Sequence, residues 1–365
     1  MEKRMIDYPL LYVALLLSLI GVVMIFSASY YYAYYQFNDS YYFLKKQLIG
    51  LLLGIIVMYI TSQLDYRIFK KLSILLYVIG TISLILVLIP GIGKLVNNAR
   101  RWIDIGPVQF QPSELAKYAL VILLASYLDN TAESKSKFKI FVISILLSGV
   151  YFALIYKEPN MSTSILILGI TMLMLFAAGL NISYFVTIGV LSLPVLYYLT
   201  IKEEYRVERI QALFNPWADP TDKGYQIIQS LYAIGSGGLF GMGLGQSRQK
   251  LLYIPEPHTD FIFSILCEEL GFVGAVFVIV LFILFIWRGI VIALHARDRF
   301  GTLLAFGVTS IIATQAILNI AVVTASVPAT GVPLPFITYG GSSILFHMFG
   351  VGVLLSISRR IKVLK

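Results

Sequence analysis

Ten long, mostly apolar stretches dominate the chain, at about 9–30, 43–63, 72–90, 112–129, 139–156, 163–179, 182–200, 259–287, 301–325 and 339–357. A helix needs about 20 such residues to cross roughly 30 Å of hydrocarbon. With 58% hydrophobic and 13% charged residues and a mean hydropathy of +0.84, too little polar surface remains to cover this load in water. A soluble globular fold is excluded. Cys267 is the one cysteine and there are three histidines, which leaves no disulfide framework and too few soft ligands for a structural zinc site.

The first stretch resembles a secretory signal, because Lys3 and Arg4 precede an apolar run that ends in Ser27, Ala28 and Ser29. The run from Pro9 to Phe26 is longer than a usual signal core, so a retained anchor is expected. An even number of spans puts both termini on one side. Lys3, Arg4, Arg67, Lys70, Lys71, Lys135, Lys137, Lys139, Arg288, Arg297, Arg299, Arg359, Arg360, Lys362 and Lys365 then gather on the side of the termini. The short loops opposite hold Lys45, Lys46, Lys94, Arg100, Arg101 and Lys157, and long loops count little in this comparison. The net charge of +9 is thus read as an orientation signal. The expected fold is all-α: a polytopic membrane protein of ten transmembrane helices, both termini cytoplasmic, with a large extracytoplasmic loop, about 201–258, between helices 7 and 8. Residues 1–365 read as a single integral membrane domain, without fixed-period repeats or a separate soluble domain.

That loop and the 91–111 loop are the sizeable material outside the bilayer. Within 201–215, Val207, Ile210, Leu213 and Phe214 share one helical face while Lys202, Glu203, Glu204, Arg206 and Arg209 take the rest. This suits a helix lying in the interface or a plain connector covering the bundle. The glycines at 235, 237, 238, 241, 243 and 245 fit neither the Walker pattern nor the dinucleotide fingerprint. Tight turns or close backbone packing in a re-entrant segment account for them better. His258, His295 and His347 are scattered, which speaks against a metal site, and the tyrosines at 30–35 and 41–42 suit an aromatic belt at the outer interface.

Ionisable residues inside spans are costly and mark candidate sites. Here they are Glu114, Lys117, Asp260, Glu268 and Glu269. Glu114 and Lys117, three apart, share a helix face and fit either a functional pair or an ion pair that locks helices. Asp260, after Pro255-Glu256-Pro257-His258-Thr259, opens span eight near the outer surface, where a carboxylate could also simply favour the helix N-terminus. Glu268 is expected about 12 Å deeper on roughly the same face, with Glu269 nearly opposite.

Four stretches together carry a resemblance: Arg100-Arg101-Trp102-Ile103 with Gln111-Pro112-Ser113-Glu114 and Lys117; Pro216-Trp217 through Gly224-Tyr225-Gln226 and Gln229-Ser230; Pro255 through Phe261 with Glu268-Glu269-Leu270-Gly271; and Pro333-Leu334-Pro335-Phe336 with Tyr339-Gly340-Gly341-Ser342-Ser343. In order and spacing, over essentially the whole chain, they closely resemble the SEDS family (shape, elongation, division and sporulation), whose members include FtsW, RodA and SpoVE. The run from Gly224 to Gly245, followed by Gln246-Ser247-Arg248-Gln249-Lys250, looks more like the FtsW and SpoVE branch than the RodA branch. Asn98 and Glu158-Pro159-Asn160-Met161-Ser162 depart from the usual pattern.

The resemblance implies a peptidoglycan glycosyltransferase of the bacterial cytoplasmic membrane that polymerises lipid II into β-1,4-linked glycan at the outer face, in division or spore cell-wall synthesis. It also implies a class B penicillin-binding protein transpeptidase as partner, alongside other divisome or sporulation proteins, and no nucleic acid. The family's essential acid maps onto Asp260 and its span-four pair onto Glu114 and Lys117. Joining sugars in β-1,4 linkage from an α-linked pyrophosphate donor requires a single inverting displacement, with Asp260 expected as general base. Arg101, Lys117, Arg209 and Lys250 are the candidate charges for the leaving pyrophosphate. Gln111, Ser113, His258, Thr259, Ser342 and Ser343 complete the expected substrate contacts. No dedicated cofactor set is visible, although Mg²⁺ or Mn²⁺ would suit the chemistry. A lipid II flippase and a non-catalytic scaffold for the transpeptidase are the rival readings.

Overall fold

The computed structural model describes residues 6–96, 99–106, 108–202, 204–251 and 253–361; Lys3, Arg4, Asn98, Glu203, Lys362 and Lys365, invoked above, lie outside them. The helices are α1 (Tyr8–Phe37), α2 (Tyr42–Gln63), α3 (Arg67–Leu88), α4 (Pro112–Asn130), α5 (Lys137–Lys157), α6 (Met161–Ala177), α7 (Ile182–Ile201), α8 (Glu204–Phe214), α9 (Tyr225–Gly237), α10 (Ile262–Leu294), α11 (Arg299–Val323) and α12 (Gly341–Ser358). Among the described residues seven of these, α1, α2, α3, α5, α10, α11 and α12, are long and apolar enough to cross a membrane. The chain is a multi-pass membrane protein.

Local chemistry sets the helix ends. The Asp7 carboxylate accepts the Leu10 amide at 3.0 Å and Pro9 stands in the first turn, so α1 starts with a capped, pre-organised turn. Asn38 ends it in the left-handed region at φ 52°. Asp298 caps α11 in the same way through the Gly301 amide at 2.8 Å. Arg288 of α10 reaches Asp7 at 2.6 Å and so ties the start of α1 to the lower part of α10.

The centre of the bundle is α4, buried along almost its whole length, with α11 and α12 beside it. Small residues let backbones approach where the hydrophobic effect gives no drive between helices. Gly50 and Gly54 of α2 face α12, and a Cβ on Gly50 would sit 3.1 Å from the Gly341 Cα. Outward-facing apolar side chains such as Ile74, Leu146 and Leu191 stay exposed, as lipid-facing positions do.

Two expectations are corrected. The chain is not all-α, because three short strands, β1 (Gly93–Val96), β2 (Ala99–Ile105) and β3 (Val108–Phe110), pair into an antiparallel sheet. This segment sits between two helix ends that must be joined over the surface, where a sheet pairs the backbone amides of an otherwise open loop. The second correction concerns α10, where Gly271 (φ 67°, ψ −168°) breaks the helix near its outer end. Asp260 precedes the helix, so wheel geometry does not relate it to Glu268. Both Glu268 and Glu269 instead turn to the 247–250 segment. Within the amphipathic stretch at 201–215, Glu204–Phe214 form the helix α8, and the glycine run packs backbone to backbone: a Cβ on Gly241 would lie 2.1 Å from the Glu269 carbonyl oxygen.

Candidate active site

A cavity of about 1080 Å³ opens between β2, the 156–162 segment, α8, the Asp260 segment and residues 327–332. Each wall has a local origin. In β2 the ladder shifts register: Trp102 pairs with Lys94 but Arg100 pairs with Leu95, so Arg101 is the extra residue of a bulge. A bulge re-aims a side chain. The Arg101 guanidinium lines the cavity, its Nε donating to the Glu158 carbonyl at 3.1 Å and its Nη2 to the Pro159 carbonyl.

Pro255 and Pro257 keep residues 254–260 from joining α10, and short turns carry the chain instead, with Thr259 donating to the Glu256 carbonyl at 3.0 Å and Ile262 to that of Thr259 at 3.2 Å. Asp260 is thereby left partly buried in the wall of the cavity. Its carbonyl accepts the Asn319 side-chain amide at 2.8 Å, and the same amide nitrogen donates to the Val332 carbonyl at 2.9 Å. Gly331 lies so close that a Cβ there would come within 3.3 Å of Asp260 Oδ2. Enclosure by protein pushes the Asp260 pKa up to about 6; the Glu256 charge adds to the rise, while the Arg101 and Arg209 charges oppose it.

The polar face of α8 turns inward. Arg206 is buried and donates to the Tyr156 hydroxyl at 2.9 Å, and Arg209 donates to the Ala329 carbonyl at 2.9 Å, both lining the cavity. Beside them Glu158 is fully buried, and neither carboxylate oxygen has a hydrogen-bond partner among the described residues. Burial, partly offset by Arg101, pushes its pKa up to about 9, so it is a neutral acid at pH 7.

The structure thus brings together Asp260, Arg101, Arg209 and Thr259. Glu114 and Lys117 pair at 2.7 Å in a second, closed cluster within the bundle. Close by on α12, the Ser343 hydroxyl lies 3.1 Å from His347 Nε2, and His347 Nδ1 lies 3.1 Å from the Tyr118 hydroxyl. Ser113, in the first turn of α4, is buried with no partner for its hydroxyl among the described residues. Ser342 ties β3 to α12, accepting the Gln111 amide at 3.1 Å and donating to the Gln109 carbonyl. Neither cluster residue nor tie lines the large cavity.

His258 is packed against Phe43, ring centroids 4.0 Å apart, and burial pushes its imidazole down to about 3, so the ring is neutral. Lys250 lies away from the cavity, its ammonium 2.7 Å from Glu269 and 3.2 Å from the Ser27 hydroxyl, all buried. Asn319 and Gly331 also belong to the site, as does Arg206, which the sequence shows only as part of a polar helix face. An uncharged amide inside a span is the signal that would have found Asn319, since burying it unpaired is costly.

Asp260 and Glu256 give the cavity two carboxylates, and among the described residues no group of three or more His, Cys, Asp or Glu is placed to hold a metal. Mg²⁺ commonly binds through one or two carboxylates together with substrate phosphates and water, so these two carboxylates fit an ion that is held jointly with a bound pyrophosphate.

A family profile described as "Cell cycle protein", FTSW_RODA_SPOVE, matches residues 8–363. The chain is 45% identical over 359 residues to stage V sporulation protein E of Bacillus subtilis (strain 168), covering 98% of each. It is 42% identical over 357 residues to a probable peptidoglycan glycosyltransferase FtsW of Geobacter sp. (strain M18), covering 98% of this chain and 97% of the other. A solved chain described under "structural coordination of polymerization and crosslinking by a peptidoglycan synthase complex" superposes with TM-score 0.81 at 29% identity, covering 97% of this chain and 98% of that one. The rod shape determining protein RodA of Thermus thermophilus superposes with TM-score 0.72 at 26% identity, over 99% and 98%.

Proposed function

The chain belongs to the FtsW, RodA and SpoVE family of cell cycle proteins, and from that premise we propose that it is a peptidoglycan glycosyltransferase polymerising lipid II at the outer face of the bacterial cytoplasmic membrane. In this reading α4, α6 and α7 complete ten spans, both termini are cytoplasmic, and the cavity opens outside. One observation carries the proposal: Asp260, its pKa raised to about 6, faces a cavity whose other walls hold Arg101 and Arg209.

The 4-hydroxyl of the acceptor sugar attacks the anomeric carbon of the donor, the C–O bond to pyrophosphate breaks on the opposite face, and the configuration inverts. Asp260 takes the hydroxyl proton. A base with a pKa just below neutral is both ionised at pH 7 and strong enough to accept that proton in the transition state. Arg101 and Arg209 stabilise the charge that grows on the departing pyrophosphate, and their own carbonyl contacts hold them in place beforehand. Thr259, next to the base, contacts substrate from the cavity wall. The buried Glu114–Lys117 pair, joined within one turn of α4, supports the site from behind.

The coordinated polymerisation and crosslinking of the solved synthase complex supports a class B penicillin-binding protein as this chain's partner. A flippase reading would need Glu268 and Glu269 on an open path, whereas both are closed in hydrogen bonds to Ser27 and residues 247–250.

The test is polymerisation of lipid II by the purified protein, with and without its transpeptidase, beside Asp260→Asn. Glycan strands from the wild type and none from the variant are expected. Equal product from both would remove Asp260 as base, and lipid II translocation without any strands would favour the flippase.

A further inference from the structure

We infer that the hairpin at residues 238–244, which sequence places in the large extracytoplasmic loop, inserts Leu239, Phe240 and Leu244 into the hydrocarbon of the outer leaflet. Two ties fix its level. Ser27 of α1 donates to the Glu269 carboxylate at 2.7 Å, and Asp7 of α1 pairs with Arg288 at 2.6 Å, so α1 and the lower part of α10 run side by side in opposite directions. From Asp7 to Ser27 along the unbroken α1 is about 30 Å, the thickness of the hydrocarbon core. The Ser27–Glu269 contact therefore marks the outer boundary, one turn inward of the tyrosines that begin at Tyr30. Phe272 and Val273, the next turn of α10, donate to the carbonyls of Gly238 at 2.9 Å and Leu239 at 3.1 Å, which sets the hairpin tip at or just inside that boundary.

Irregular backbone survives at this depth only when its polar groups are paired within the protein. The central amides of the hairpin are paired: Gly241 donates to the Gly237 carbonyl at 2.8 Å, and Met242 and Gly243 donate to the carbonyls of Glu268 and Glu269 at 2.9 and 3.0 Å, using acceptors that the break at Gly271 releases from α10. Only glycine allows the approach, since Gly238, Gly241 and Gly243 all have positive φ. The side chains face away from the protein, Phe240 being 81% and Leu239 64% exposed, and the patch continues without interruption into Phe272 and Val273 at the top of the lipid face of α10. That continuity with a membrane-facing surface commits the occupant to lipid hydrocarbon, not a second protein.

Spin labels at Phe240→Cys and Leu239→Cys, in a Cys267→Ala background reconstituted in phosphatidylethanolamine–phosphatidylglycerol vesicles without partner, test this. Their collision rates with oxygen and with a water-soluble nickel chelate are compared with Ile283→Cys as a lipid-facing reference and Asp222→Cys as a solvent reference. Oxygen access high and nickel access low, as at Ile283→Cys, is expected. Nickel access like that of Asp222→Cys would put the hairpin in water, and low access to both would mean protein covers it; either result overturns the inference. Should the Cys267→Ala background fail to fold, Phe240→Trp in the otherwise native chain gives the same answer, because brominated acyl chains quench its added fluorescence only if it lies among them.

Discussion

The Asn319 side-chain amide, on α11, donates to the main-chain carbonyl of Asp260 at 2.8 Å and so holds the proposed base by its backbone, leaving the carboxylate free to face the cavity. Asn319→Asp and Asn319→Leu keep the volume and remove the donor. Both are expected to lower kcat by about 10–100-fold while leaving KM for lipid II near its wild-type value, since misplacing a reacting group by about 1 Å costs up to about 100-fold. Steady-state polymerisation checks this, and an unchanged kcat in both variants would release Asn319 from that role.

The pKa of Asp260, raised to about 6, sets the acid limb of activity. The base works ionised, so the rate should hold above pH 7 and fall about tenfold per unit below pH 6. Arg101 lowers this pKa, hence Arg101→Gln should move the limb to higher pH as well as slow the reaction. A pH–rate profile of both proteins decides it.

Asp260→Asn should abolish strand synthesis. Glu114→Gln, which leaves Lys117 buried without its counter-charge, should impair it less, because the pair lies outside the cavity. The ranking of the two variants in one gel assay is the measurement, and the reverse order would contradict the support role of the pair.

Glu158 holds a raised pKa of about 9 against an ordinary carboxyl value of 4.5. Its neutral form is the stable one in the fold, so the wild type loses stability as pH rises from the ordinary value towards 9, where the unfolded chain releases its proton first. Glu158→Gln lacks that loss. Its thermal stability in detergent should match the wild type near pH 5 and exceed it increasingly towards pH 8, by up to about 1.4 kcal/mol per unit. A gap that does not vary with pH would show Glu158 to be ionised.

Lys250 and Glu269 are fully buried together. Lys250→Met should destabilise the protein by about 3–5 kcal/mol, because it strands a carboxylate, and the double variant with Glu269→Gln should recover part of that. Thermal unfolding of the two variants in detergent gives the comparison.

Much of this protein could be read from the sequence alone. Length of apolar runs dictates membrane-spanning helices because a bilayer leaves the backbone few ways to satisfy its hydrogen bonds. Asp260, Glu114 and Lys117 stood out as charges where charges are costly, and the four motif stretches pointed to the family. What sequence left open is what depends on residues distant in the chain. The bulge that turns Arg101 inward exists only through its pairing with Lys94 and Leu95. Arg206 and Arg209 look like the wet face of an amphipathic helix until residues 156–162 and 327–332 form the other walls. Lys250 is by sequence a candidate charge for the pyrophosphate, and it is Ser27, 223 positions away, and Glu269 that close around it. Asn319 is 59 residues from Asp260. Local periodicity reports which surface is apolar; whether a polar group meets a partner, a cavity or lipid is decided by tertiary packing, because the cost of burying it depends on what stands opposite.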